Sequence, residues 1–546
     1  MITLRQPLRA AIPIGVAVAF KIGLLAINAV PFNGDEASVA LMARHILRGE
    51  RPTFFYGQAY LGATDAWLTA ISFSIFGESV LAIRIVQIAL FAAFLMTSYL
   101  IARRVGLTEW GARAALLWLA LPPTMLTLYT TATLGGYGET LVLGNVAILL
   151  ADSVMRSTSL RRARLATALA MTRPWRWLAL GLVAGFGLYT FPLILIYLVP
   201  IGLWLLIGLR GRAWRGYAIA IAGFVVGSAP WWWALLQSGG RELAELAGSG
   251  VAGTIPGATY FDTLGVRLLN FFLFGASAWW GLRYPWSAQF VLPVIGVAVL
   301  AGYVGALAYV ARRAKHPERN AVKSKDASPI LWGMIGVLLI TFLVTPFGGD
   351  PSGRYFLPLN LPLSISIAML LQAIRNAKRT LVTLLLAGAI GYNVAGTALA
   401  AATQPPGITT QFDPVTWIDH TRDQELIDFL LAHGETRGYT NYWVQTPIAF
   451  LSQERIISTA ALPYHLNLGY TPRDDRYPPY TQAVAQADRA FYITTNHPPL
   501  DALIREGLSR LDVSFKEQLI GNYQVYYGLS RKVTPEELGI YDKMTR

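Results

Sequence analysis

Long apolar runs alternate with short polar loops over roughly the first 400 residues. A membrane-spanning helix needs about 20 mostly apolar residues, and the pattern predicts about 11 of them. The chain is therefore expected to be a mainly α polytopic membrane helix bundle. The predicted spans are residues 10–31, 80–101, 112–130, 138–154, 176–189, 191–208, 217–236, 288–310, 329–347, 354–373 and 380–400.

Basic residues fall in every second loop between these runs. Arg5 and Arg9 precede the first run, and clusters of Lys and Arg follow the second, fourth, sixth, eighth and tenth. Because short cytoplasmic loops are rich in Lys and Arg, the pattern predicts a cytoplasmic N-terminus and an extracytoplasmic C-terminus. Two of the predicted outer loops are long, at residues 32–79 and 237–287. The first of them contains two amphipathic stretches, which predict surface helices.

The character of the chain changes after residue 400. Short β-type runs alternate with helical runs over residues 401–546, which predicts a small soluble extracytoplasmic α/β domain. Within it, Gln524–Leu529 alternates between apolar and polar residues as an edge strand does. We therefore expect two domains, a membrane domain over residues 1–400 and a soluble domain over residues 401–546.

Composition supports this division and excludes some functions. Hydrophobic residues make up 54% of the chain and charged residues only 14%, against about 25% charged in ordinary soluble domains. Residues 401–546 hold 13 Lys+Arg and 17 Asp+Glu, so the whole positive balance belongs to the membrane part. The topology rule explains that balance, and a nucleic-acid partner is not expected. The absence of cysteine excludes disulfides and thiolate metal sites.

The stretch from Asn33 to Ala37 is the strongest candidate for chemistry. It places Asp35 and Glu36 directly after the first span, and carboxylates so close to lipid are functional-site candidates because their burial is costly. The alternative is that the two acids cap the helix Ala37–Leu47 and interact with its dipole. The local sequence alone does not decide between these interpretations.

Other charged residues gather at the outer ends of the predicted spans rather than in their middle. Such a set suits transfer of a group from an anionic lipid, because a carboxylate can act as general base and arginines can hold a phosphate. A pair of acids could also hold a divalent metal ion, although no metal site is specified. The outer acids and arginines are Asp35, Glu36, Asp65, Glu139, Asp350, Arg44, Arg51, Arg283 and Arg354.

The chain resembles the GT-C glycosyltransferases, most closely glycosyltransferase family 39 and the aminoarabinose-transferase-like proteins. The resemblance lies in the acidic stretch from Asp35 to Ala37 after a first span, in the loop with two surface helices, and in the stretch from Ser352 to Pro358 at a late span. It implies a multi-span enzyme that uses polyprenyl-phosphate sugars as donors and transfers the sugar with inversion outside the cytoplasm.

The resemblance also implies roles for single residues. Asp35 matches the catalytic aspartate of the first outer loop, with Glu36 beside it, and Arg354 matches a late-span arginine near the donor phosphate. Residues 56–62 occupy the place of an acidic-Lys-Pro-Pro stretch in many members, which this chain lacks. Asp65 and Arg51 are the nearest charged substitutes.

Taken together, the sequence predicts an inverting glycosyltransferase of the plasma membrane, most simply a bacterial one. Its partners would be a polyprenyl-phosphate-linked sugar, membrane lipid and an acceptor hydroxyl on a glycan, lipid or protein. The alternatives are a lipid-linked sugar flippase or other transporter, and a non-catalytic glycolipid-binding scaffold. The predicted residues are Asp35 and Glu36 for catalysis, Arg354, Arg51 and Arg44 for the donor phosphate, and Tyr56, Gln58, Tyr60, Asp65 and Glu139 for the substrates.

Overall fold

Helices dominate the chain up to residue 403, as the apolar runs predict. Each of the eleven predicted spans coincides with one or two helices of the computed structural model. The model describes residues 5–163, 174–210, 213–240, 242–243, 245, 259–315, 328–403, 407–470 and 472–543. The helices of the first part are α1 (Arg5–Ala26), α2 (Gly34–Leu47), α3 (Thr64–Phe76), α4 (Val80–Arg104), α5 (Glu109–Ala120), α6 (Thr124–Tyr129), α7 (Tyr137–Ala163), α8 (Pro174–Thr190), α9 (Leu195–Leu209), α10 (Trp214–Gly227), α11 (Ala229–Ser238), α12 (Tyr260–Leu269), α13 (Ala276–Trp279), α14 (Pro293–Lys315), α15 (Ser328–Val344), α16 (Asn360–Ile374) and α17 (Arg379–Ala402).

Fewer helices than predicted span a membrane on their own. Within the described ranges, seven are long and apolar enough to cross, or eight if α10 and α11, which meet at 61°, form one bent span. The predicted span 112–130 is divided between α5 and α6, because Pro122 and Pro123 interrupt the helical hydrogen bonds between them. α8 and α15 are each 17 residues long, shorter than the about 20 residues of a complete crossing. The protein is a multi-pass membrane protein.

The first long loop has the two predicted helices, but α2 is not a surface helix, because 12 of its 14 residues are buried. α2 and α3 flank a short hairpin of β1 (Phe54–Phe55) and β2 (Gln58–Gly62). Of the second long loop, residues 241, 244 and 246–258 lie outside the described residues. Its described end consists of α12, a π-helical turn and α13.

The C-terminal part, residues 407–543, is an α/β unit with one five-stranded sheet. The strand order is β4-β3-β5-β7-β6, with β3 parallel to both neighbours and β7 antiparallel to both of its own. Its strands are β3 (Arg437–Thr440), β4 (Ile457–Ala460), β5 (Phe491–Thr495), β6 (Lys516–Ile520) and β7 (Tyr523–Tyr527), and its helices are α18 (Asp423–Ala432), α19 (Tyr442–Leu451), α20 (Pro478–Ala485), α21 (Pro498–Arg510) and α22 (Ile540–Lys543).

The predicted edge strand at Gln524–Leu529 is wrong in its position. It corresponds to β7, which lies inside the sheet between β5 and β6. β6 is the edge, and four of its five residues are exposed. An edge strand with a solvated face carries few apolar residues, so the polar start of β6, Lys516 to Gln518, gave no strand signal.

The α/β unit packs on the first long loop through α19 and α2. The two helices meet closely because Gly34 has no side chain: a Cβ there would lie 3.3 Å from the Cα of Trp443. The hydroxyls of Ser38 and Tyr442 are 3.0 Å apart, and the Thr446 hydroxyl donates to the Gly34 carbonyl at 2.9 Å. This contact places the start of α19 directly over the start of α2.

Candidate active site

Asp35 lies in the first turn of α2, but it is not the cap of that helix. The cap is Asn33, whose side-chain oxygen accepts from the backbone N–H groups of Asp35 at 3.1 Å and Glu36 at 3.2 Å. Because Asn33 performs the capping function, the Asp35 carboxylate is free to point elsewhere. Its side chain is 26% exposed, so a substrate can reach it.

The groups that contact the Asp35 carboxylate come from the α/β unit. The Tyr442 hydroxyl donates to Oδ1 at 2.9 Å, and the Arg476 guanidinium lies 3.6 Å from the same oxygen. The Thr410 hydroxyl donates to Oδ2 at a long 3.4 Å. Sequence reasoning missed all three, since they lie more than 370 positions from Asp35 and no local motif connects them.

Arg476 is held beside Asp35 mainly by aromatic rings. Its guanidinium lies 4.0 Å from the ring centre of Tyr442 and 5.8 Å from that of Phe55. Asp474, two residues earlier, is also buried. Burial raises the pKa of Asp474 to about 6, with Arg476 opposing the change and Asp35 adding to it. This part of the site therefore contains two carboxyl groups around one cation.

Arg354 forms the second pole of the site. It follows a tight turn at Gly353, where φ is +84° and a Cβ would lie 2.9 Å from the Cβ of Ala278, so only glycine fits without strain. Asp350 shapes the turn by accepting from the Ser352 N–H at 2.7 Å, and it pairs with the Arg354 guanidinium at 2.6 Å. The carboxylate thus fixes the arginine that it partly neutralises.

Two tyrosines connect the poles. Tyr129 lies within range of the charges of both Arg354 and Asp35. Tyr60 is buried and experiences the positive charges of both Arg354 and Arg476. Asp35, Arg354 and Tyr60 stay predicted site residues, and Tyr129 and Arg476 are further candidates within electrostatic range of them.

Glu36 points away from this group. It is fully buried and forms an ion pair with Arg84 of α4 at 2.5 Å. Arg84 also donates to the Val30 carbonyl at 3.1 Å. These contacts join α2 to the membrane helices, which supports a structural role for Glu36 instead of the predicted catalytic one.

Asp65 and Glu139 form a separate buried pair. Asp65 Oδ2 accepts from the N–H groups of Gly135 at 2.9 Å and Gly136 at 2.6 Å, and so closes the glycine turn before α7. The Glu139 carboxyl group lies within electrostatic range of Asp65, and neither of its oxygens has a hydrogen-bond partner among the described residues. The contacts of Asp65 support a structural role in the turn, whereas Glu139 stays a candidate substrate contact.

Two predicted phosphate arginines are engaged elsewhere. Arg44 is buried, pairs with Glu78 at 2.6 Å and donates to the Phe450 carbonyl at 3.1 Å. Arg51 donates to the carbonyls of Ile46 at 3.2 Å and Glu50 at 2.8 Å. These contacts support structural roles for both arginines.

Two further predicted substrate residues lie on the hairpin. Tyr56 donates to Glu50 at 2.7 Å, lies 2.9 Å from a ring nitrogen of His45 and stacks on Tyr477 at 4.7 Å. It therefore belongs to the contact between the hairpin and the α/β unit. Gln58 is half-buried at the start of β2, two residues before Tyr60, and stays a candidate substrate contact.

A protein metal site of the usual kind is not formed among these groups. No cluster of three or more Asp, Glu or His side chains with metal-binding geometry occurs among the residues that the structure describes. Pairs of carboxyl groups occur at Asp35 with Asp474 and at Asp65 with Glu139. The second pair is already occupied by two backbone N–H groups.

Comparison with known proteins identifies the fold. No family model and no curated protein matches the chain. Among solved structures, ArnT from Cupriavidus metallidurans bound to undecaprenyl phosphate matches with a TM-score of 0.55 and 13% identity, over 93% of this chain and 97% of that one. The apo oligosaccharyltransferase of Archaeoglobus fulgidus matches with a TM-score of 0.51 and 15% identity, over 90% of this chain and 70% of that one. At these identities the likeness shows the fold, and the chain has the GT-C fold.

Proposed function

We propose that this GT-C chain is an inverting glycosyltransferase that moves a sugar from a polyprenyl-phosphate donor to an acceptor hydroxyl. The observation that carries the proposal is the arrangement of a partly exposed carboxylate, Asp35, and an anchored guanidinium, Arg354, around Tyr60 and Tyr129. The fold is shared with ArnT, whose structure holds undecaprenyl phosphate. These two observations together support the proposed donor class.

Asp35 is the proposed general base. Its carboxylate takes the proton of the acceptor hydroxyl while the hydroxyl oxygen attacks the anomeric carbon of the donor sugar. A new glycosidic bond forms as the bond between that carbon and the phosphate oxygen breaks. The attack comes from the side opposite the leaving phosphate, so one displacement inverts the configuration.

Arg354 is the proposed phosphate ligand. Its Nη2 pairs with Asp350, while its buried Nε has no hydrogen-bond partner within the described part of the chain. An arginine with a free donor near a developing phosphate charge stabilises the leaving group. The nearby hydroxyl of Tyr129 offers a neutral group that can adjust to the same phosphate.

The orientation of the chain follows from its basic loops. With the N-terminus in the cytoplasm, α2, the turn before α16 and the α/β unit lie on the extracytoplasmic side. Arg104 at the C-terminal end of α4 pairs with Asp152 in the C-terminal half of α7. Both residues then lie on the cytoplasmic side. We place the site at the outer surface of the plasma membrane, most simply of a bacterium.

Release of polyprenyl phosphate from a labelled lipid-linked sugar tests the function. Asp35→Asn should lower kcat by at least about 100-fold, the usual contribution of a general base. Asp262→Asn is the matched control, since Asp262 is exposed in the other outer loop and caps a separate helix. Its kcat should stay within about twofold of the unchanged protein.

The same assay examines the phosphate role and the rival functions. Arg354→Gln should lower kcat/KM for the donor about tenfold, the equivalent of one lost charge-assisted hydrogen bond, while the exposed Arg422→Gln changes nothing. Full activity of Asp35→Asn in a folded protein would refute the catalytic assignment. Movement of the labelled lipid across the membrane without release of polyprenyl phosphate would indicate a carrier, and binding alone a scaffold.

A further inference from the structure

The groups closest to the proposed base belong to the α/β unit rather than to the membrane helices. Tyr442 begins α19, and Arg476 lies in the segment between β4 and α20. Both side chains converge on one oxygen of Asp35, Oδ1. The α/β unit therefore contributes two side chains to the site.

The environment of Arg476 separates it from an ordinary surface cation. Its side chain is 15% exposed, and its Nη1 is buried without a hydrogen-bond partner among the described residues. The guanidinium lies over the Tyr442 ring at 4.0 Å from its centre. Aromatic packing therefore helps to position the cation, whose Nη1 faces Asp35 Oδ1 at 3.6 Å, beyond hydrogen-bond distance.

Tyr442 complements this arrangement. It is almost completely buried, and its hydroxyl lies between two partners, Ser38 at 3.0 Å and Asp35 at 2.9 Å. An ionised carboxylate has no proton to donate and can only accept hydrogen bonds. The tyrosine therefore donates to Asp35, and the Ser38 hydroxyl donates to the tyrosine. This chain of hydroxyls sets the direction of the Asp35 carboxylate.

We propose that Arg476 and Tyr442 are positioning residues that orient the Asp35 carboxylate, so that the α/β unit completes the catalytic centre. The inference rests on the proposed function, because it concerns the base of that reaction. A cation and a donated hydrogen bond both favour a carboxylate over its protonated form. A base that stays ionised accepts the acceptor proton over a wider pH range.

The pH dependence involves every titratable or charged group that faces Asp35. Arg476 is the cation among them, and Asp474 is the acid that works against it. Three tyrosines complete the surroundings, and they are neutral in the pH range of the experiment. They are Tyr129, Tyr442 and Tyr464.

The pH profile of kcat tests the inference on the purified full-length protein. Arg476→Gln should move the acidic limb of the profile upward by about one pH unit, the lower end of the effect of a close opposite charge. Arg476→Lys keeps the charge and should restore most of the shift. Tyr442→Phe should move the limb in the same direction but less far, and the donor KM should change less than about twofold in all three.

Arg473→Gln is the matched control, because this exposed arginine lies three residues from Arg476 in the same segment. Its profile should match that of the unchanged protein. An Arg476→Gln profile that also matches, or a lysine variant no better than the glutamine one, overturns the inference. If Arg476→Gln does not fold, the Arg476→Lys and Tyr442→Phe profiles decide the question in the same way.

The two proposals fail in different ways. If the unchanged protein releases no polyprenyl phosphate, the proposed function fails and the inference falls with it. If the unchanged protein is active and Asp35→Asn is not, but the limb stays in place in Arg476→Gln and Tyr442→Phe, only the inference fails.

Discussion

Glu454 is the main electrostatic contact between the α/β unit and α2. Its carboxylate accepts from His45 at 2.9 Å and from Tyr480 at 2.8 Å, and it also pairs with Arg48. Arg44 lies 3.7 Å away. Because these partners lie on both sides of the contact that carries Tyr442 over Asp35, we expect Glu454→Gln to weaken the docking of the unit.

The expected magnitude follows from the pKa of Glu454. Burial alone would raise it, but the hydrogen bonds from His45 and Tyr480 and the nearby positive charges outweigh burial and lower it from 4.5 to about 2. A change of that size corresponds to about 3 kcal/mol. Solvent reaches part of the group and screens it, so we expect about 1–2 kcal/mol.

The sign of the pH dependence is fixed by the direction of this change. A carboxylate whose pKa is lowered by folding stabilises the folded state above its unfolded pKa of 4.5 and loses that contribution as the pH falls through about 2. The part of the stability difference between the unchanged protein and Glu454→Gln that comes from this carboxylate should therefore shrink below pH 4.5 and vanish near pH 2.

Hydrogen exchange of the α2 and α19 amides measures the docking directly. In Glu454→Gln at pH 7 these amides should exchange about 5- to 30-fold faster, the equivalent of 1–2 kcal/mol. Glu517→Gln is the matched control, because Glu517 forms a comparable pair with Arg505 on the exposed edge of the same unit, where such pairs contribute little. Equal exchange in both variants would refute the reasoning.

Two more predictions concern the membrane part. Glu36→Gln leaves Arg84 buried without its charged partner, which should reduce the free energy of unfolding by about 3–5 kcal/mol and lower the thermal unfolding temperature in detergent. The double variant Glu36→Gln with Arg84→Met should recover most of that loss. If it recovers none, the structural role of the pair is wrong. The chain has no cysteine, so a single introduced cysteine reports its own accessibility. Ser509→Cys in the α/β unit should react with an impermeant maleimide on intact cells, whereas Asn376→Cys, between α16 and α17, should react only after lysis. The opposite pattern would reverse the proposed orientation.

The membrane part was predictable because its signal is local. Hydrophobic length predicts a helix from its own residues, and α4 begins at Val80, where the second predicted span begins. The number of complete spans was less predictable, since a break such as the one at Pro122 and Pro123 depends on how neighbouring helices accommodate it. Local patterns predict elements well and their continuity less well.

The candidate site residues show the same difference between local and non-local sequence signals. Asp35 and Arg354 were predictable because each stands in a local pattern, a charge at the end of an apolar run or a glycine turn before one. The partners of Glu36, Arg44 and Asp65 were not, because an isolated acidic or basic residue has the same sequence signature whether it binds a substrate or a buried counter-charge. Only the fold shows which of these charges are already neutralised.

The charged residues that already have a buried partner are less suited to act on a substrate. Glu36 and Arg44 are neutralised by partners inside the protein and cannot serve a substrate without losing those partners at considerable cost. Asp35 differs, because its cation, Arg476, lies at 3.6 Å and is held by a ring rather than by the carboxylate itself. A base needs a partner that stabilises its charge without occupying both of its oxygens, and this loose pair provides one. The assignment of Asp35 therefore rests on the kind of partner it has as much as on its place after the first span.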